Sequence, residues 1–343
     1  MFKRWFFALF LLFFLSSHDM YLKLDTYFLE PNSSAKILLY NGTFEKSDNT
    51  IDRNRMVDVS LVGNGNKTSV DTTQWSDNEG VTILDFTTGN EGTWVAGVST
   101  APRNIEMNAE DFNGYLQHDG VLDMLEWRKE NNALDQDAIE KYSKHVKTIF
   151  QVGDHLSNDW QTKLGYPIEF VPMSNPYDLH PGHDMQVQLL WEGAPLANQL
   201  VYIGSEAKEH EHEHSHGSEH SHGTEEGHSH EHEGEETADH HHDLVQYRTD
   251  TEGKVTFNIA HQGVWYLRTI HLVTSEEEGL THESNWATLS FEIGEGHEHS
   301  HDHEAEHSHS EDDALGLPSY AYWIGSLLLV LVLFIWFNRK KDE

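Results

Sequence analysis

The chain contains no cysteine. Disulfides, thiolate zinc sites, iron–sulfur clusters, a thiol nucleophile and a lipid-modified cysteine are therefore excluded together. Positive charge is scarce as well. Lys and Arg number 22 against 58 Asp and Glu, for a formal net charge of -36. Such a surface repels nucleic-acid phosphates and anionic lipid and attracts cations, so no nucleic-acid partner is expected. Also missing are a phosphate loop, a dinucleotide fingerprint, a nucleophile elbow and a His-Glu-x-x-His helix, and nothing points to an enzyme.

Histidine is what the chain has in excess. Residues 209–243 are almost entirely His, Glu, Asp, Gly, Ser and Thr, and include His210, His212, His214, His216, His220, His222, His228, His230, His232, His240, His241 and His242. A second tract adds His297, His299, His301, His303, His307 and His309, so the two hold 18 of the chain's 27 histidines. Neutral imidazole is the commonest protein ligand for late first-row metals, and a neighbouring carboxylate supplies oxygen and charge. Tracts of this composition read as divalent-metal binding. They impose no geometry, so by the Irving–Williams order they favour copper whatever the biological cargo.

Both ends address a membrane. Residues 1–17 carry Lys3 and Arg4, an apolar run and then Ser16 and Ser17, the layout of a secretory signal peptide. Residues 320–337 contain no charge, and at ~1.5 Å per residue they match the ~30 Å hydrocarbon layer. Tyr320, Tyr322, Trp323 and Trp336 suit the two interfaces, and Arg339, Lys340 and Lys341 suit a cytoplasmic anchor. The expectation is a single C-terminal transmembrane helix, a cytoplasmic tail at 338–343, and main domains in the periplasm or outside the cell.

Between the ends the sequence reads as mainly β. Short apolar runs broken by Asn, Gly, Asp and Ser predict an N-terminal β-sandwich domain over 18–105. The period then changes, and 106–153 reads as a helical connector. Asn108 is its N-cap, and a later helix places Ile139, Tyr142, Val146 and Ile149 on one face. Strand patterning returns for a second sandwich domain over 164–293. The first tract is then a loop insertion at 207–243, which costs little because loop closure grows only slowly with length. The second tract falls in an acidic linker at 294–318.

Outside the tracts, His18 would become the first residue if cleavage follows Ser17. Its amine and imidazole could then chelate one ion with an oxygen from Asp19, or it merely follows the cleavage site. The turn His180-Pro181-Gly182-His183 fits type II geometry with its ends within ~7 Å. Its two imidazoles either share an ion or are exposed loop residues. His271 sits on one face of an alternating strand with Trp265, Leu267 and Thr269, and reads either as a hydrogen-bonded core histidine or as a ligand. His118 and His145 read as surface or packing residues, His261 and His282 resemble the His271 case, and His155 gives no signal.

Several scattered segments resemble one family: His18-Asp19 after the signal peptide, Phe28-Leu29-Glu30-Pro31, Asp119-Gly120 with Arg128, Tyr142-Ser143-Lys144, Gly165-Tyr166-Pro167-Ile168-Glu169, the run 175–201, Thr249-Asp250 with Gly253, and Trp286-Ala287-Thr288-Leu289. Together they are similar to DUF4198, a family of exported proteins associated with nickel and cobalt uptake. It includes the single-span additional components of energy-coupling-factor transporters. The resemblance implies two β-sandwich domains, the second transthyretin-like or Ig-like. It also implies nickel or cobalt as favoured cargo, with zinc or copper as alternatives, and membrane transporter components as partners. His18 and His271 match positions where relatives commonly carry histidine, so the resemblance makes them candidate ligands. His180 and His183 depart from the family pattern. The expected function is metal capture outside the cytoplasm and delivery to an uptake transporter. The rivals are an envelope zinc or copper buffer and a copper enzyme built on an N-terminal histidine.

Overall fold

The computed structural model of the protein describes residues 19–208 and 244–294. The expected signal peptide over 1–17, His18, both histidine tracts and the apolar segment 320–337 lie outside the described residues. Among those described, no helix is long and apolar enough to cross a membrane.

In chain order the strands are β1 (Asp19–Lys23), β2 (Phe28–Leu29), β3 (Ser34–Gly42), β4 (Met56–Gly63), β5 (Asn66–Ser69), β6 (Trp75–Asn78), β7 (Val81–Thr87), β8 (Gly92–Thr100) and β9 (Arg103–Met107). Helices α1 (Ala109–His118) and α2 (Leu122–Glu130) follow. The chain continues through β10 (Ala138–Val152), β11 (Ile168–Pro172), β12 (Asp184–Trp191), β13 (Ala194–Pro195), β14 (Leu200–Ala207), β15 (Val245–Arg248), β16 (Lys254–Asn258), β17 (Gly263–Thr274) and β18 (His282–Ile293). The mainly-β, multi-sheet expectation is met.

The strands form a ten-stranded central sheet and two four-stranded sheets. The central path runs β15-β14-β17-β18-β10-β8-β4-β5, with β2 and β9 also paired to β10. One small sheet has the order β1-β3-β7-β6; the other joins β11, β12, β13 and β16. Strand periodicity assigns each layer. Along β10, Val146, Phe150 and Val152 point into a core shared with Met20, Leu22, Ile37 and Leu39 of the first small sheet. Ile149 points the other way, into a core shared with Ile168, Phe170, Val187 and Leu189 of the second. The two small sheets therefore cover opposite faces of the central one. A third core packs α1 and α2 against Ile270, Leu272 and Trp286, on the face that also carries β1.

The helical expectation for 139–149 is wrong. Those residues lie in β10, a 15-residue strand running parallel to β18 and antiparallel to β8 and β9. Both faces of β10 are buried, so its apolar residues show no strict alternation, and Ile139, Tyr142, Val146 and Ile149 fall by chance at helical spacing. The earlier part of the connector is helical as expected. Asn108 caps α1, its side chain accepting from the Asp111 backbone N–H.

The first tract is a loop insertion between paired strands. β14 ends at Ala207 and β15 begins at Val245, and the two are antiparallel neighbours. The second tract follows β18. Ala207 pairs with Gly263, and Gly263 pairs with Ile293. Both tracts thus depart from the same end of the sheet, two strands and roughly 10 Å apart.

Because β10 belongs to both halves, they should unfold together. Phe150 is fully buried against Phe86 and Trp94. Phe150→Ala is expected to cost about 3–5 kcal/mol and to shift far-UV dichroism and tryptophan fluorescence along a single denaturation curve. Two separated transitions, one unchanged by the substitution, would contradict the shared-sheet reading.

Candidate functional site

β1 lies across the central sheet at the seam between the first small sheet and the helices. The Thr288 hydroxyl donates to the Met20 carbonyl at 2.8 Å, and the Ser290 hydroxyl donates to the Leu22 carbonyl. Further along, the Tyr27 N–H donates to Glu292 Oε2 at 3.2 Å. These contacts bring Asp19 to Arg268 of β17. Arg268 Nη1 lies 3.5 Å from Asp19 Oδ1 and Nε lies 3.4 Å from Oδ2, while the Tyr21 hydroxyl donates to Oδ2 at 3.1 Å. Arg268 is buried, stacks over the Tyr202 ring and donates through Nη2 to the Asp119 carbonyl at 3.1 Å. Burial alone would lower the Arg268 pKa, but Asp19, then Tyr21 and Asp119, raise it above its ordinary value.

Asp119 sits just past the last turn of α1 and is 4 % exposed. Its Oδ1 lies 3.0 Å from His118 Nδ1; its Oδ2 is buried and has no hydrogen-bond partner among the described residues. Burial, with Asp19 adding repulsion, pushes its carboxyl above the ordinary carboxylate range; His118 and Arg268 pull against that. Gly120 follows with φ of 72° and is held by the Tyr202 hydroxyl, which donates to its carbonyl at 2.7 Å. A Cβ there would come 2.3 Å from that hydroxyl, so glycine is required by both torsion and space. Beside it is a small solvent-open cleft of about 30 Å³, lined by Asp119, Gly120, Asp123, Gln199, Tyr202 and Leu272.

Two further buried charges continue the seam. Glu140 accepts from the Ser284 and Tyr115 hydroxyls, and burial pushes its carboxyl up to about 7 against those hydrogen bonds. Lys144 donates to Asn41 Oδ1 at 3.1 Å and lies over the Trp286 ring, and burial lowers it to about 8. The opposite face of β10 behaves differently. Lys147 donates to Glu169 Oε2, the Thr162 carbonyl and the Phe170 carbonyl, each at 3.0 Å. Glu169 also accepts from the Leu164 and Gly165 N–H groups. That pair is fully satisfied and ties β10 to β11.

The other predicted site residues fall elsewhere. His271 lies on the face of β17 opposite Arg268, half-buried against Trp191, with Nδ1 2.9 Å from Gln199 Oε1; burial lowers its pKa. It does not share a site with Asp19. His180 and His183 do meet. Their ring centroids are 3.6 Å apart, the His183 N–H donates to the His180 carbonyl at 3.1 Å, and Gly182 has φ of 97°. This exposed turn stands apart from the seam. His18 and all the tract histidines lie outside the described residues. Among the described residues, no group of three or more His, Asp or Glu is arranged to hold a metal.

His145 is structural, as its pattern suggests. It is buried, with Nδ1 2.9 Å from Ser99 Oγ and Nε2 3.0 Å from Ser143 Oγ, and burial lowers its pKa to about 4. His282 packs on Phe112, and its pKa is likewise lowered to about 4, by burial and then by Arg128. Sequence reasoning did not single out Asp119, Glu140, Lys144 or Arg268 as site residues. The one available signal was a set of charged residues inside otherwise apolar runs, such as Arg268 in VWYLRTIHL.

The architecture is a set of β-sandwich layers around one sheet. The profile of DUF4198, a domain of unknown function, matches residues 15–273, and the chain belongs to that family. No curated protein matches it. Solved structures similar to the chain include the D0-D1 domain of intimin, at 11 % identity and TM-score 0.18, covering 80 % of this chain and 97 % of that one. Another is trypsin-activated alpha-2-macroglobulin from Escherichia coli, at 10 % identity and TM-score 0.20, covering 81 % of this chain and 16 % of that one.

Two outcomes follow from the buried charges. Arg268→Gln leaves Asp19 buried without its cation and is expected to cost about 3–5 kcal/mol in urea denaturation, partly recovered by adding Asp19→Asn. An additive double substitution would contradict the coupling. For His145, the folded pKa lies below the ordinary ~6.5 of an unfolded histidine, so its contribution is present above ~6.5 and lost as pH falls towards 4. His145→Gln should flatten stability against pH across that window by on the order of 3 kcal/mol. An unchanged slope would show that His145 titrates normally.

Proposed function

We propose that the protein captures divalent metal outside the cytoplasm and delivers it to a membrane uptake transporter, with nickel or cobalt as favoured cargo. The observation that carries this reading is the pair of histidine tracts that follow β14 and β18, two strands apart at one end of the sheet. Eighteen imidazoles and many carboxylates are thereby concentrated in one region of a chain whose net charge is -36. Tethering raises the local concentration of bound ion without tight binding at any single residue. The folded body supplies what the tracts lack, a fixed geometry. In this reading His18 and Asp19 form its metal end, His180 and His183 a surface subsite, and His271 a further candidate ligand. The second half of the chain is read as transthyretin-like, with 320–337 as the membrane anchor and the transporter as partner. A zinc or copper buffer is the rival, favoured by the copper preference of tracts without imposed geometry.

Imidazole binds metal only when neutral, so nickel held by the full chain at pH 7.5 is expected to be released as pH falls through roughly 6.5. Equilibrium dialysis with elemental analysis measures it, and full retention at pH 5 would count against histidine ligation. A deletion strain separates the two roles. Loss of nickel- or cobalt-dependent enzyme activity in metal-poor medium supports delivery; sensitivity to added zinc or copper alone supports buffering.

A further inference from the structure

We propose that His180 and His183 chelate one divalent late first-row cation between their imidazoles, at the end of the fold from which both histidine tracts leave. The site rests on the metal-capture reading and deepens it, giving the folded body a defined two-nitrogen ligand set.

The turn that carries the pair is held in place by its neighbours. Pro181 and Gly182 occupy its two central places, and Gly182 has φ of 97°, the left-handed conformation that a type II turn requires there. The His183 N–H donates to the His180 carbonyl at 3.1 Å and closes the turn. The end of β16 then pins it from the side. The Gly182 N–H donates to the Ile259 carbonyl and the Ile259 N–H donates to the His183 carbonyl, each at 2.8 Å. The Asn258 side-chain amide donates to the Gly182 carbonyl at 3.3 Å and to the His183 carbonyl at 3.2 Å. Both histidine backbones are thereby fixed, and the ring centroids stand 3.6 Å apart with planes tilted by 40°.

That spacing suits one shared ion. Two nitrogens bonded at ~2.1 Å to the same metal lie roughly 3.0 to 3.4 Å apart, for octahedral or tetrahedral geometry. Rings whose centres are 3.6 Å apart need little movement to present nitrogens at that separation. The tautomer of His180 is set as well. Its Nδ1 lies 3.2 Å from the Pro181 carbonyl, which can only accept, so Nδ1 carries the hydrogen and Nε2 keeps the lone pair that binds metal. A Cβ on Gly182 would meet nothing within 4 Å, so an ion can approach the turn from that side. No third His, Asp or Glu joins the pair among the described residues, and Asp184 turns Oδ1 to the Asn258 amide at 3.1 Å. Water therefore completes the coordination. Two nitrogen donors select nickel, cobalt, copper or zinc over magnesium and calcium.

The position also suits cargo gathered by the tracts. Ile259 is four residues from Gly263, at most ~14 Å of chain. Gly263 pairs with Ala207 and with Ile293, the last residues of the strands that precede the two tracts. His261 lies on that path, but its ring is engaged by Ser205 Oγ at 3.0 Å and by the Gln262 carbonyl at 2.8 Å.

The test is carbethoxylation of histidine by diethyl pyrocarbonate, read residue by residue by peptide mass spectrometry at pH 7.5 with and without nickel chloride. It uses the full chain with its eighteen tract histidines replaced by Asn. Nickel is expected to slow modification of His180 and His183 roughly tenfold or more, because a second ligand held in place acts at high effective concentration. The exposed His155 should stay as reactive as before. With His183→Asn, His180 should lose its protection, and His180→Asn should do the same to His183, while neither change lowers the melting temperature of the metal-free chain. Protection that survives either single substitution means two independent imidazoles and overturns the chelate. A parent in which nickel protects neither histidine also overturns it. The metal-capture reading outlives that result if the unsubstituted chain still holds nickel in equilibrium dialysis, and falls with it if that chain holds none.

Discussion

The fold depends on the pairing of β10. This one strand is parallel to β18, antiparallel to β8 and β9, and carries side chains into two different cores. From Ser143 to Val152 the strand has no solvent face. Every polar side chain it carries must find a partner inside the protein, and the partners come from distant parts of the chain: Asn41 for Lys144, Glu169 for Lys147, Ser284 for Glu140. The charged residues of β10 therefore stitch the layers to the central sheet.

The two faces of that sheet are unequal. Towards β11 and β12 the buried charges are closed, with donors and acceptors matched. Towards β1 and the helices the seam holds Asp19, Asp119, Glu140, Arg128, Lys144 and Arg268, and Asp119 Oδ2 has no hydrogen-bond partner among the described residues. The tracts leave from the far end of the same strands. Thr288, level with Arg268, is five residues from Ile293, roughly 17 Å along β18.

Much of this was legible in the sequence. The strand runs, the Asn108 cap, the tight turn bringing His180 to His183, the alternation around His271 and the placement of the first tract in a hairpin all follow from local chemistry. β10 was not legible. Its lysines at 141, 144 and 147 and its apolar residues at 139, 142, 146 and 149 repeat at helical spacing, and a lysine in a row normally marks a solvated face. Only the tertiary partners of Lys144 and Lys147 show otherwise. The seam was hidden for the same reason. Asp19, Asp119, Glu140 and Arg268 are spread over most of the chain, and no spacing rule links them. His118 reads from sequence as a surface or packing residue, and its side chain is half exposed; its contact with Asp119 stands out only once the burial of that carboxylate is known.

The most direct measurement is nickel retention in equilibrium dialysis at pH 7.5, comparing the full chain with one whose eighteen tract histidines are replaced by Asn. The account predicts that the full chain holds several nickel ions and that the substituted chain loses most of them. Equal retention by the two chains would contradict it.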